Sequence, residues 1–132
     1  MNRPAWSAPR VPDSPKRILV VDDDEPIRVL LHRVLRREGF AVETASDGFE
    51  AITKLSRGDY DTILLDLRMP RVDGFGVLGF LEENRPDLAG AVVIMTANLP
   101  GAAGVQAEGR VSRVLPKPFD LGEVLATVRD PN

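Results

Sequence analysis

The sequence of 132 residues has no cysteine, one tryptophan and one histidine. Without cysteine, no disulfide framework or thiolate metal site can form, and a reducing compartment is the default expectation. A basic excess is also missing. Seventeen Lys and Arg stand against 20 Asp and Glu, giving a net charge of −3. A dedicated nucleic-acid binder would carry a basic footprint, so no direct nucleic-acid contact is expected. No apolar run approaches the roughly 20 residues of a membrane span. The N-terminus lacks the apolar stretch of a signal peptide. A soluble, cytoplasmic chain without membrane contact is the expectation. What is present suits one domain: 43% of residues are apolar and 28% charged, enough for a single core at this length.

Residues 1–15 hold four prolines and few apolar residues, too few to offset the entropy of ordering them. They read as a flexible tail, in which Trp6 is an incidental aromatic. The first 17 residues carry Arg3, Arg10, Lys16 and Arg17 against Asp13, a net of +3, which leaves −6 of the overall −3 to the remainder. The acidic character therefore belongs to the folded part, residues 16–130.

From Ile18 the pattern changes. Ile18–Val21 is a short continuous apolar run, like a strand covered on both faces. Asp22, Asp23, Asp24, Glu25 and Pro26 follow, a helix start with a carboxylate cap and Pro in the first turn. Ile27, Leu30, Leu31, Val34 and Leu35 recur at helical spacing, and Gly39 closes the helix. Ala41–Ala45 reads as a second strand, and Asp47-Gly48 opens a helix through Leu55. Thr62–Leu65 is a third strand, and Asp73-Gly74 starts a helix bearing Phe75, Leu78 and Leu81. Strands at Ala91–Met95 and Val111–Leu115 and a helix at Leu121–Val128 complete the chain. Pro100, Gly101 and Gly104 interrupt residues 98–109, so the fourth helix is expected to be short, irregular or mobile. There is no internal repeat. Alternating strands and helices imply a parallel sheet with helices on both faces.

In such a sheet, sites form outside the carboxyl ends of the strands. Asp22, Asp23 and Asp24 follow the first strand, Asp66 the third, Thr96 the fourth and Lys117 the fifth. Clustered carboxylates repel each other, and a hard divalent cation such as Mg²⁺ relieves the repulsion. Asp66 could then act as a nucleophile towards a phosphoryl group. Thr96 could donate a hydrogen bond to a phosphoryl oxygen. Lys117 offers a compact positive charge for Asp66 or the phosphate. Asp24 reads as a helix cap.

Val20–Pro26, Asp66–Pro70 with Asp73-Gly74, Met95-Thr96-Ala97 and Lys117-Pro118-Phe119 together resemble the receiver domain of two-component response regulators. The likeness spans about residues 16–130. It implies a doubly wound (βα)₅ flavodoxin-like sandwich with strand order 2-1-3-4-5. It implies that Asp66 is the phosphoacceptor, served by a sensor histidine kinase or phosphotransfer protein. Asp23 would be a direct Mg²⁺ ligand, Asp22 would assist largely through water, and the Arg68 carbonyl would be a further ligand. Thr96 would be the switch hydroxyl and Lys117 the phosphate-pairing lysine, with a cis Lys117-Pro118 bond. No catalysis beyond self-phosphorylation from small donors and autodephosphorylation is implied.

One departure stands out. Where the family usually has an aromatic ring three residues before the lysine, this chain has Val114, and no aromatic occurs between Phe80 and Phe119. A rotating-ring readout is therefore excluded, and signalling is expected to pass through residues 98–109, ordered through Thr96. Arg68 could overhang the acyl phosphate, and Asn98 could modulate its hydrolysis. His32 reads as part of a solvated helix face rather than as a phosphodonor, and the arginines at 28, 33, 36 and 37 as a solubilising surface, with partner docking as the minority reading. No output domain follows in the 132 residues, so the effect is expected through a separate, unidentified effector. A homodimer through the fourth helix, fifth strand and fifth helix is a second route. Two alternatives remain: a scaffold receiver that does not switch, and an aspartate-nucleophile phosphohydrolase. The second fits Asp22 and Asp24 but meets Pro26 where Thr or Val belongs.

Overall fold

A computed structural model describes residues 14–97 and 99–129. The expectations for the tail with Trp6 and for Asn98 lie outside the described residues. Five strands, β1 (Arg17–Val21), β2 (Ala41–Ala45), β3 (Thr62–Asp66), β4 (Val92–Thr96) and β5 (Arg113–Pro116), form one sheet of order β2-β1-β3-β4-β5. Every neighbouring pair is parallel. The two central strands β3 and β4 are buried along their whole length. The edge strands β2 and β5 are partly exposed. This matches continuous apolar runs in strands covered on both faces.

Six helices occur among the described residues: α1 (Glu25–Arg37), α2 (Gly48–Leu55), α3 (Gly74–Asn84), α4 (Pro86–Ala89), α5 (Leu99–Ala107) and α6 (Leu121–Arg129). Alternate residues of each strand face opposite layers. Leu19, Val21, Ile63, Leu65 and Ile94 pack with Leu55, Leu81, Leu88 and Val105, so α2 to α5 cover one face. Ile18, Val20, Leu64, Val93 and Leu115 pack with Leu31, Leu35, Val124 and Val128, so α1 and α6 cover the other.

The helix starts follow their carboxylates. Asp24 accepts from the Ile27 N–H, Asp47 from Glu50 and Asp73 from Gly76, each satisfying an orphan donor. Gly39, at φ 97, follows α1 in the left-handed conformation that glycine adopts readily.

Several expectations are corrected. Residues 99–107 form a regular nine-residue helix rather than a short or irregular one. Burial of Ala102 and Val105 against the sheet layer holds it despite its glycines. The four-residue α4 was not anticipated, because only Leu88 in it is buried. Leu30 and Phe75 belong to the apolar patterns of α1 and α3 but are 43% and 37% exposed. Val77 takes the inward place in α3 beside Leu78 and Leu81.

Candidate functional site

β1, β3, β4 and β5 end on one rim of the sheet, and each leaves a polar residue there. Val21 pairs in register with Leu65, Asp66 with Met95, and Thr96 with Pro116. The residues just beyond these pairs therefore converge. Asp22, Asp23 and Asp66 each present a carboxylate oxygen, and the three oxygens lie within 4.8 Å of one another. Asp22 is fully buried, Asp66 is 6% exposed, and Asp23 faces solvent.

Lys117 crosses to this cluster from the end of β5. Its Nζ donates to Asp22 Oδ2 at 2.7 Å and to Asp66 Oδ2 at 3.3 Å. The lysine thus pairs more closely with Asp22 than with Asp66, where the sequence pointed first to Asp66. Its backbone N–H donates to the Thr96 carbonyl at 2.9 Å, joining the β4 and β5 ends. The Lys117-Pro118 bond is cis. Thr96 is fully buried at the end of β4.

The remaining lone pairs are organised by backbone donors. Asp66 Oδ1 accepts from the Arg68 N–H at 3.2 Å. Asp22 Oδ1 accepts from the Asp24 N–H at 2.9 Å. Burial raises the Asp66 carboxyl above its ordinary value, and the Asp22 charge adds to this against the Arg68 N–H and the Lys117 ammonium. Burial alone would lower Lys117, but its hydrogen bond and attraction to Asp22, with help from Asp66, leave it raised.

The donor set suits a hard divalent cation. It offers three carboxylates, one of them open to solvent, against a single contacting ammonium. Oxygen-only donors with space for water match Mg²⁺. Asp24 stands outside the cluster, as a cap.

Some residues differ from their sequence reading. Arg28 is not part of a solvated face. Its guanidinium donates to the Asp22 carbonyl at 2.8 Å and is mostly covered. Only a contact between α1 and the end of β1 reveals this, and no sequence signal marks it. Arg68 is exposed. Val114 is partly buried and packs against the α2–α5 side of the core. His32 borders a cavity of about 190 Å³ with Arg28, Val29, Arg33 and Thr44, and none of the three clustered carboxylates lines it. Gly74, quoted in the sequence as a helix start and as part of the receiver-like motif, also packs against the end of β3. A Cβ there would lie 2.4 Å from the Asp66 carbonyl oxygen.

A doubly wound α/β domain with an acidic rim and an opposing lysine defines a recognisable class. The family model of the response regulator receiver domain matches residues 18–129. Response regulator MprA of Mycobacterium sp. (strain KMS) is 41% identical over 118 residues, covering 87% of this chain and 50% of that protein. Transcriptional regulatory protein TcrA of Mycobacterium tuberculosis (strain ATCC 25618 / H37Rv) is 39% identical over 120 residues, covering 86% and 44%. The chain spans about half the length of the curated relatives it matches.

Among solved structures, response regulator TrrA from Thermotoga maritima, in complex with Mg²⁺ and BeF, is similar at a TM-score of 0.76. It is 34% identical, with 86% of this chain and 96% of that chain covered. A CheY-like receiver domain protein from Methanospirillum hungatei is similar at a TM-score of 0.80. It is 26% identical, with 89% and 94% covered. This chain belongs to the response regulator receiver domain family. It is a signalling domain, and no helix among the described residues is long and apolar enough to cross a membrane.

Proposed function

We propose that Asp66 is the phosphoacceptor of this receiver, charged by the phosphohistidine of a sensor histidine kinase or phosphotransfer protein. The observation that carries the reading is the convergence of the Asp22, Asp23 and Asp66 oxygens within 4.8 Å, with Lys117 Nζ on two of them. Asp22, Asp23, Asp66 and the Arg68 carbonyl would hold Mg²⁺. Bound there, the cation supplies positive charge against the oxygens of the transferring group.

The chain's own groups do the rest. Lys117 offsets negative charge as the Asp66 oxygen approaches phosphorus, and the Thr96 hydroxyl is available to a phosphoryl oxygen. A bond forms between the Asp66 oxygen and phosphorus while the donor's phosphorus–nitrogen bond breaks. The departing imidazole nitrogen keeps the electron pair and takes a proton from water.

A protein donor suits the surface around this rim. Among the described residues, the exposed large apolar side chains are Val29 and Leu30 of α1, Phe49 of α2, Phe75 of α3 and Leu99 of α5. All stand in the first two turns of their helices. Helices in a parallel sheet begin on the side where the strands end, so these residues lie toward the same end of the domain as the acidic rim. Exposed apolar groups gathered on one side mark a surface for protein contact.

A phosphohydrolase with Asp22 as nucleophile is disfavoured. Asp22 is fully buried and holds Lys117 Nζ at 2.7 Å, whereas Asp66 keeps 6% exposure and the longer 3.3 Å contact. The non-switching scaffold draws support from Val114 alone.

The test is incubation with acetyl phosphate and Mg²⁺, followed by intact mass. One phosphate adduct is expected, absent from Asp66→Asn and absent when a chelator replaces Mg²⁺. An unmodified wild-type chain would favour the scaffold. Turnover retained in Asp66→Asn and lost in Asp22→Asn would favour the hydrolase.

A further inference from the structure

The loop of residues 67–73 joins β3 to α3 and follows the acceptor directly. Arg71 lies in it at φ 68. A residue with a Cβ persists in this left-handed region only where its surroundings hold it. The holding groups belong to the start of α2. Arg71 Nη2 donates to Asp47 Oδ2 at 2.8 Å, and the guanidinium lies over the Phe49 ring, 5.2 Å from its centroid. Asp47 is itself fixed, because its Oδ1 caps α2 through the Glu50 N–H at 2.8 Å. That cap, with some help from Arg71, holds the Asp47 carboxyl below its ordinary value.

The backbones meet at the same place. A Cβ on Gly48 would lie 1.9 Å from the Val72 carbonyl oxygen, so the loop rests against the first turn of α2. The loop is closed on itself by the Gly74 N–H donating to the Leu67 carbonyl at 2.9 Å. Among the described residues, no hydrogen bond or ion pair joins Arg71 to Asp22, Asp23 or Asp66.

We propose that Arg71 is a positioning residue: clamped to Asp47 and Phe49, it fixes the 67–73 loop so that Asp66 and the Arg68 backbone stand ready for a divalent cation. This rests on the phosphoacceptor reading above. The side chain of Arg71 is 64% exposed, and exposed ion pairs contribute little to global stability. Groups that orient metal ligands, in contrast, are felt in metal affinity.

The two roles separate experimentally in the full chain. Arg71→Asn removes the guanidinium while placing a residue that tolerates positive φ. Asp47→Asn retains a cap oxygen for Glu50 while removing the charge. Calorimetric titration with Mg²⁺ should give about two- to fivefold weaker binding for each. The double variant should bind no more weakly than either single one, because both break the same clamp. Thermal unfolding in chelator should match wild type.

Wild-type Mg²⁺ affinity in either single variant would overturn the clamp. So would two effects that simply add, or a lower unfolding temperature without a change in affinity. A wild-type chain that takes up no Mg²⁺, or an Asp23→Asn chain that binds as well as wild type, would instead remove the reading beneath it, and the clamp with it.

Discussion

Gly74 shows how closely the end of β3 is packed. A Cβ at this position would stand 2.4 Å from the Asp66 carbonyl oxygen and 2.6 Å from the Leu67 Cα. Both are backbone atoms, so neither yields as a side-chain tip would. Gly74→Ala is therefore expected to destabilise the domain by about 1–3 kcal/mol, measured by urea unfolding. Gly79, in the same helix, has nothing within 4 Å of such a Cβ. Gly79→Ala should be neutral or stabilising by about 0.5–1 kcal/mol. Equal effects at the two positions would refute the close-packing argument. The acidic residues and Lys117 were legible because each follows an apolar run or an expected strand, where a parallel sheet puts its sites. Gly74, Arg28 and Arg71 were not. Their meaning lies in a partner on another element: Arg28 finds the Asp22 carbonyl and Arg71 finds Asp47, and no local pattern announces such contacts.

At the scale of elements, the uninterrupted apolar runs made β1, β3 and β4 readable. α5 was obscured because Pro100, Gly101 and Gly104 are poor helix formers. It forms because Ala102 and Val105 bury one narrow side against the sheet, a tertiary effect that local preference does not carry. Its far end is braced. Arg110, just beyond the helix, donates to both oxygens of Glu82 on α3 at 2.9 Å and to Glu108 at 3.3 Å. The hydrogen bond from Arg110 holds the Glu82 carboxyl below its ordinary value. The near end begins at Leu99, close behind Thr96 at the end of β4. A phosphoryl group drawn to Thr96 should therefore act on the first turn of α5, and Val114, with no ring to swing, leaves that turn as the path outward. Hydrogen exchange with beryllofluoride and Mg²⁺ should show increased protection at Leu99–Ala103, with little change at Glu108–Arg110. Unchanged exchange in the first turn would favour a receiver that does not switch.

For the whole molecule, the acidic rim sets stability against function. Asp66 is buried beside Asp22, and its carboxyl is raised from an ordinary value of 3.8. A carboxyl whose folded value exceeds its unfolded value favours the folded state below that window and disfavours it once pH has risen through the raised value. Above that window Asp66 therefore weakens the metal-free fold, and Asp66→Asn should unfold at a higher temperature than wild type in chelator. Bound Mg²⁺ would reverse the comparison. A ligand that binds only the folded state stabilises it by RT ln(1 + [L]/Kd), about 2.7 kcal/mol at a hundredfold excess over Kd. Wild type should gain this as Mg²⁺ is raised. Asp66→Asn, lacking one of the three carboxylates, should gain far less, so the two melting curves should exchange order during the titration. Calorimetric scans at neutral pH across a series of Mg²⁺ concentrations would show the crossing. Parallel curves with no crossing would mean that the cluster neither strains the free fold nor gathers the cation, and the same titration repeated on Asp23→Asn would locate which carboxylate fails to contribute.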